Sequence, residues 1–343
     1  MKGLIKEAPG SGARYRQDLP VPEAGAGEVL VKVGAAAICG TDMHILDWTP
    51  YAQERVRPPM VFGHEFAGTI VKTGEGVRRF SVGDRVAGET HIPCNDCVQC
   101  RTGNAHICEH MKIIGVHVPG CFAEYIAVPE DCLWRLDDSI NDQAGALLEP
   151  MGVAVHGLCS GEVAGLDVLI LGCGPIGLFA VAAARALGAR RVFALDLAPE
   201  KLDLAAWLGA DRIIDGGKES FTDVVLSLTG GAGADVIVDY TGSASVVSEA
   251  FRALKKGGRF TLVGLMNRPL SVDANDAIIY KEARVNGVTG RLMYRTWYDG
   301  VSLISSGRVD PLQIVGGIYP LSRYEEAFSA LKAGKAGKML LIP

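Results

Sequence analysis

Three absences narrow the possibilities for this chain. It has no surplus of positive charge: 34 Lys and Arg stand against 39 Asp and Glu, a net charge of −5. It therefore has no basic excess with which to neutralise a phosphate backbone, and nucleic acid is not an expected partner. The N-terminal MKGLIKEAPGSG lacks the apolar run of about 7–15 residues that a secretory leader needs, so the expected location is cytoplasmic. A membrane span is not expected either. The most apolar stretch, VLILGCGPIGLFAVAAARALGA, is interrupted by Gly174-Pro175 and contains Arg185, which suits a buried strand followed by a helix.

What is present is length and apolar content. With 343 residues and 48% hydrophobic composition, two cored domains are expected. Residues 29–38, 61–71 and 121–128 are rich in Val and Ile and are broken by Gly, Pro and Asp, the texture of an irregular β region without a convincing helix. From about residue 165 strand and helix patterns alternate, as in a parallel doubly wound sheet. That alternation stops near Gly290. A helix is expected near 294–306, another from Ser322 with a capping box to Glu325, and a strand in the final GKMLLIP. No internal repeat is found.

Gly172-Cys173-Gly174-Pro175-Ile176-Gly177 is G-x-G-x-x-G, placed directly after an apolar strand and opening a helix. Glycines there permit a tight turn and close approach of a pyrophosphate to the positive helix end. Asp196 ends the next strand, about 20 residues on, where an acid can accept hydrogen bonds from the adenosine ribose. It would repel a 2′-phosphate and no Arg follows to offset it, so NAD is expected over NADP. The plainer reading of Asp196 is a charge at the helix N-terminus before Pro199.

Cysteine is clustered. Of nine, Cys94, Cys97, Cys100 and Cys108 fall within CNDCVQCRTGNAHIC. In a reducing compartment such a cluster holds metal more often than it forms disulfides. The C-x2-C-x2-C-x7-C spacing fits a closed tetrahedral zinc site, whereas an iron–sulfur run would end in x3-C-P. A second set is Cys39 in C-G-T-D-M-H, His64 and Glu65 in G-H-E, and Glu149 in L-E-P. Singly each is an ordinary core, surface or capping residue; together they offer sulfur, nitrogen and oxygen donors for a zinc that keeps one position open.

The combination of C-G-T-D-x-H, G-H-E, the four-cysteine lobe and G-x-G-P-x-G resembles the zinc-dependent medium-chain dehydrogenase/reductase family over essentially the whole chain. The segments ICGTDMHILDW, GETHIPCNDC, PGCFAEY and TGRLMYRTWY are similar to the branch of that family that acts on L-threonine. The resemblance implies an α/β chain in which a GroES-like, mostly-β catalytic domain is formed by residues 1–149 and 290–343. A Rossmann doubly wound parallel sheet is then inserted at 150–289. It implies two zinc ions per chain, a catalytic one on Cys39, His64 and either Glu65 or Glu149, and a structural one on Cys94, Cys97, Cys100 and Cys108.

By the same resemblance Thr41 and His44 form a proton relay and His91 sits at a position associated with substrate choice. NAD is bound through Gly172, Gly174, Pro175, Ile176, Gly177 and Asp196, and the chain is a homo-oligomer, a tetramer, acting on a small-molecule alcohol. Two departures bear on the substrate. Val153 stands where the L-threonine branch usually has Asn, and Pro50-Tyr51 replace a Trp and an acid. A polyol dehydrogenase is therefore the alternative, and a non-catalytic NAD-binding sensor the alternative of another class, since fold alone does not establish activity. Arg291 is a candidate partner for a substrate carboxylate.

Overall fold

Glu28–Ala37, EVLVKVGAAA, is a ten-residue strand buried along most of its length. It is buried because it has neighbours on both edges. In the computed structural model, which describes residues 1–343, it lies inside a seven-stranded sheet. The order is 133–135, 85–88, 65–73, 28–37, 338–342 and 315–320, with 125–129 also paired to 28–37. Neighbours run antiparallel except 315–320 and 338–342, which are parallel. The register places Ala37 opposite Glu65 on one side and Leu340 on the other.

The chain divides into two compact units, one of residues 1–149, 315–333 and 338–343, the other of residues 150–314 and 334–337. The return to the first unit falls at Val315 rather than at residue 290. After the sheet alternation ends, the chain still carries a helix, Arg295–Ser305, and a 3-10 turn, Pro311–Ile314, that packs on the helix Pro175–Ala186 of the second unit.

Phe62, Phe122 and Phe328 meet at the centre of the first unit's core, with Phe122 edge-on to the other two at centroid separations of 5.2 and 6.5 Å. Gly63 sits against this cluster at φ +92°, and a Cβ there would lie 2.4 Å from the Phe122 ring. Only glycine meets both conditions, and His64 and Glu65 follow at once.

Short helices occur where the sequence pattern shows none: Gly40–Asp47, Pro50–Arg55, Asp142–Ala146 and Leu148–Leu158. The first has no apolar stripe to reveal it. Its start is set instead by Asp42, whose Oδ2 accepts from the Cys39 amide at 2.8 Å. Pro150 sits in the first turn of the last of these helices, where its missing N–H breaks no intrahelical bond. The capping box expected at Ser322 does not form. A 3-10 turn, Leu321–Arg323, leads into Tyr324–Lys332 with Arg323 at the cap, and Glu325 accepts from the Tyr324 hydroxyl instead.

The second unit follows the expected alternation: β1 (Asp167–Leu171), α1 (Pro175–Ala186), β2 (Arg191–Asp196), α2 (Pro199–Trp207), β3 (Arg212–Asp215), α3 (Phe221–Leu228), β4 (Ala234–Asp239), α4 (Ala244–Ala253), β5 (Leu254–Leu262) and β6 (Arg284–Gly287). The strands are parallel in the order β3-β2-β1-β4-β5-β6. β1 is buried at every residue, as a central parallel strand must be. No helix is long and apolar enough to cross a membrane.

Asp167 opens β1 fully buried and accepts from Arg190 and Arg191 through both oxygens, at 2.5–2.9 Å. Burial alone would raise its carboxyl, but the two guanidinium groups prevail and bring it from 3.8 to about 2. Asp167→Asn is expected to cost about 1–3 kcal/mol of unfolding free energy at pH 7, the range for unmade buried hydrogen bonds to charged groups. A depressed carboxyl stabilises the fold above its unfolded pKa and loses that contribution as pH falls through the folded one. The gap between wild type and variant in urea unfolding should therefore narrow from pH 5 towards pH 2.

Candidate active site and metal centres

Cys39 follows the end of strand 28–37, and His64-Glu65 begin the antiparallel strand beside it, so the Ala37–Glu65 register brings the three together. One ligand atom from each lies within 4.8 Å of the others. His64 and Glu65 are buried and Cys39 half-buried. Glu149 is buried in the same unit but does not join that group; its charge acts on Glu65.

Two charged residues that the sequence did not flag complete the surroundings. Asp42, wholly buried, presents Oδ1 to His64 Nδ1 at 3.5 Å. Neither atom has a hydrogen-bond partner. Lys338, at the start of strand 338–342, places Nζ 2.5 Å from both Glu65 oxygens and 2.8 Å from Ile38 O. Burial pushes the Glu65 carboxyl up to about 7 while Lys338 pulls it down. Burial lowers Lys338 too, yet Glu65 and Cys39 hold it above its ordinary value. Those shifts pull against each other for one pair, and the two short contacts favour the charged form. Burial likewise opposes a charged His64, and Asp42 and Cys39 overcome it, leaving its pKa raised.

This donor set fits a metal. A cation would relieve the orphaned His64 and Asp42 atoms, because a ligating histidine commonly turns its other ring N–H to a carboxylate. Nδ1 is directed at Asp42, so Nε2 is the nitrogen left to ligate.

The four-cysteine lobe is built locally. Cys97 caps a one-turn helix, Val98–Arg101, that carries Cys100, while Cys108 follows the turn Ala105–Ile107. All four thiols are free and their ligand atoms lie within 4.8 Å of one another. Cys97 Sγ stands 3.5 Å from Cys100 Sγ and 3.8 Å from Cys108 Sγ. Bonds of about 2.3 Å to a tetrahedral zinc would set such edges at about 3.8 Å. The Cys94 and Cys108 sulfurs also accept backbone N–H groups of Cys97, Cys94 and His110, an environment suited to thiolates.

Thr41 and His44 lie one turn apart on the helix Gly40–Asp47, Thr41 half-buried and His44 exposed beside Thr49 Oγ1 at 3.2 Å. His91 begins a two-residue strand paired with Lys112–Ile113. Its Nδ1 is 2.8 Å from Oε1 of Glu89, a fully buried carboxylate, so its orientation is set from behind.

In the second unit a cleft of about 710 Å³ opens at the C-terminal ends of the strands, lined by Gly172, Gly174 and Asp196 among others. Pro175 and Ile176 open α1 behind Gly174. A Cβ on Gly177 would fall 1.8 Å from Gly172 O, so this turn closes only with glycine. Asp196 accepts from the amides of Cys173 at 2.8 Å, Leu197 at 2.8 Å and Ala198 at 3.0 Å. Asp196 thus holds the turn that enters α2 and also lines the cleft, with four acceptor sites on a carboxylate and three in use.

Comparison with known proteins agrees with these features. The alcohol dehydrogenase GroES-like domain family matches residues 25–138 and the zinc-binding dehydrogenase family residues 175–306. An L-threonine 3-dehydrogenase of Bacillus subtilis (strain 168) is 40% identical over 343 residues, 100% of this chain and 99% of the relative. The chain belongs to the zinc-dependent medium-chain dehydrogenase/reductase family. Among solved structures, the 2R,3R-butanediol dehydrogenase of Bacillus subtilis is 30% identical with a TM-score of 0.90, covering 100% of this chain and 99% of that one. A zinc-binding dehydrogenase from Sinorhizobium meliloti 1021, solved with NADP bound, is 31% identical with a TM-score of 0.89 and the same coverage.

As a member of this family the chain is a zinc-dependent alcohol dehydrogenase. The residues that sequence reasoning passed over, Asp42, Glu89 and Lys338, each stand behind a residue it selected. The available signal was weak but real: a lone Lys beginning the apolar run KMLLI is an unusual choice for a buried strand. Lys338→Met should leave Glu65 as an uncompensated buried charge and cost about 3–5 kcal/mol at pH 8. Glu65 can escape that cost only by taking up a proton, so the variant's deficit in urea unfolding should be smaller at pH 6 than at pH 8.

Proposed function

We propose that this dehydrogenase oxidises the 3-hydroxyl of L-threonine to give 2-amino-3-oxobutyrate, with NAD as hydride acceptor. The observation that carries the reading is the Cys39–His64–Glu65 group in a chain 40% identical, end to end, to an L-threonine 3-dehydrogenase. Zinc held by Cys39, His64 and either Glu65 or Glu149 would supply Lewis acidity, making an alcohol hydroxyl easier to deprotonate.

The chain's own residues do the rest. Thr41 takes the substrate's hydroxyl proton on Oγ1 as it gives up its own, and His44, exposed one turn on, is the end of that relay, taking up the released proton and passing it to solvent. Asp42 keeps the His64 ring oriented, and Lys338 keeps Glu65 charged without drawing in water. His91, braced by Glu89, acts in substrate choice. Gly172, Gly174 and the α1 N-terminus receive the pyrophosphate, and the remaining acceptor site of Asp196 receives a ribose hydroxyl. That carboxylate favours NAD, although a relative is solved with NADP.

A polyol is the second reading, and Val153 favours it. It lies half-buried on the helix Leu148–Leu158 and offers no hydrogen bond to an amine. Arg291, the candidate carboxylate partner, is buried with its side chain against Gly152 of that helix. Specificity constants with NAD for L-threonine, butane-2,3-diol and sorbitol under one set of conditions should place L-threonine first. A diol turned over a hundredfold better overturns the substrate.

Two zinc ions per chain are expected to leave in order. The four-thiolate ion contributes to folding, with about 10–16 kcal/mol typical of structural zinc in small peptides. The ion on Cys39 and His64, which keeps an open position, departs first. Titration with a chelator should abolish activity after loss of one zinc equivalent, with circular dichroism unchanged, and unfold the first unit only with loss of the second.

A further inference from the structure

The cleft at the ends of β1–β4 is acidic and almost without cations. Asp196, Glu219 and Glu249 line it against one cation, Lys201. The three acids are not equivalent. Glu219 is taken up by Arg212, whose Nη2 reaches both carboxylate oxygens at 2.8 and 2.7 Å. Asp196 is committed to three backbone amides. Glu249 accepts through Oε1 from the buried Thr222 hydroxyl at 3.2 Å, which pins the carboxylate and leaves Oε2 as an acceptor.

Other polar groups on this wall are engaged. Ser220 caps α3 through the Asp223 amide, the Tyr240 hydroxyl donates to Ala154 O, and the Thr241 hydroxyl donates to Asp239. Towards the cleft Glu249 is flanked by apolar side chains, while on its other side it shares a second pocket with Ser245, Ser248, Arg252 and Arg268. Phe221 opens α3, and Val246 precedes Glu249 by three residues on the same face of α4. A flat heteroaromatic ring fits between such walls, and a fixed carboxylate at its edge selects a ring that carries an N–H donor.

We infer that Glu249 reads the exocyclic amine of the dinucleotide's adenine, and so makes this cleft selective for adenine over a base with a carbonyl at the same ring position. This rests on the reading of the cleft as an NAD site. The chemistry is that of an acceptor facing either a donor or another acceptor: the amine donates to Oε2, whereas a carbonyl oxygen there would meet a negative charge and leave both unpaired.

The test is equilibrium binding by calorimetry of NAD, NADP and nicotinamide hypoxanthine dinucleotide to the zinc-loaded protein. Wild type should bind NAD at least about tenfold more tightly than the hypoxanthine analogue, the discrimination expected of one such contact. Glu249→Ala should bind the two within about threefold, by loss of NAD affinity. Glu249→Gln, of the same shape and able both to accept and to donate, should also bind both within about threefold, but with NAD affinity close to wild type. Equal wild-type affinities for NAD and the analogue, or a wild-type ratio retained in either variant, would overturn the role of Glu249 alone. Tighter binding of NADP than NAD by wild type would instead overturn the NAD reading on which it rests.

Discussion

A charged pair, Glu65 with Lys338, lies inside the first unit with almost no access to water, their side chains 1% and 4% exposed. Removing two charges from water costs several kcal/mol each, and the pair is tolerable only while its geometry holds. That geometry is a matter of register. Ala37 must sit opposite Glu65 on one side and Leu340 on the other. A slip of one residue in either pairing would turn the partner to the opposite face and leave a bare charge in the core. The alignment that spares this cost also gathers Cys39, His64 and Glu65, so sheet register and donor placement are one constraint.

The two clusters of metal-binding type were legible to different degrees for that reason. Cys94, Cys97, Cys100 and Cys108 are close along the chain, and their spacing alone suits a closed tetrahedral site. Cys39, His64 and Glu65 are brought close by strand pairing, which spacing cannot express; their donor types suggested a metal, and resemblance to a known constellation made the grouping specific. Lys338 and Asp42 were silent. Lys338 has its partner about 270 residues away, and Asp42 reads equally well as the cap of a short helix, which it also is. The helix Gly40–Asp47 escaped notice because its position is fixed by that cap and by the strand before it, not by a face of apolar residues.

The nucleotide unit was readable almost throughout, because a buried parallel strand, a glycine turn and a helix leave a local signature. Its β-alternation, its glycine fingerprint and Asp196 all stand where the pattern places them. What the pattern missed is the end of the unit. The chain beyond Gly290 stops alternating yet stays with the second unit through Ile314, because packing on α1 leaves no periodic trace in that segment. The division of work among the cleft's acids was also invisible, since it depends on which carboxylates have already been claimed, Glu219 by Arg212 and Asp196 by the backbone.

The pairing of Lys338 with Glu65 and Ile38 also sets an order in time. On a ribosome the strands 28–37 and 65–73 emerge long before the segment that neutralises them, and the entire nucleotide unit is synthesised in the interval. Until Lys338 arrives, the end of strand 28–37 at Ala36 and Ala37 lacks its neighbour on one edge, although 125–129 already pairs with 28–32, and Glu65 is buried without a counter-charge or stays in water. Such long-range closure is slow and leaves a sheet edge available to other chains meanwhile. The first unit therefore begins folding first and finishes last, while the locally connected second unit can complete itself in between.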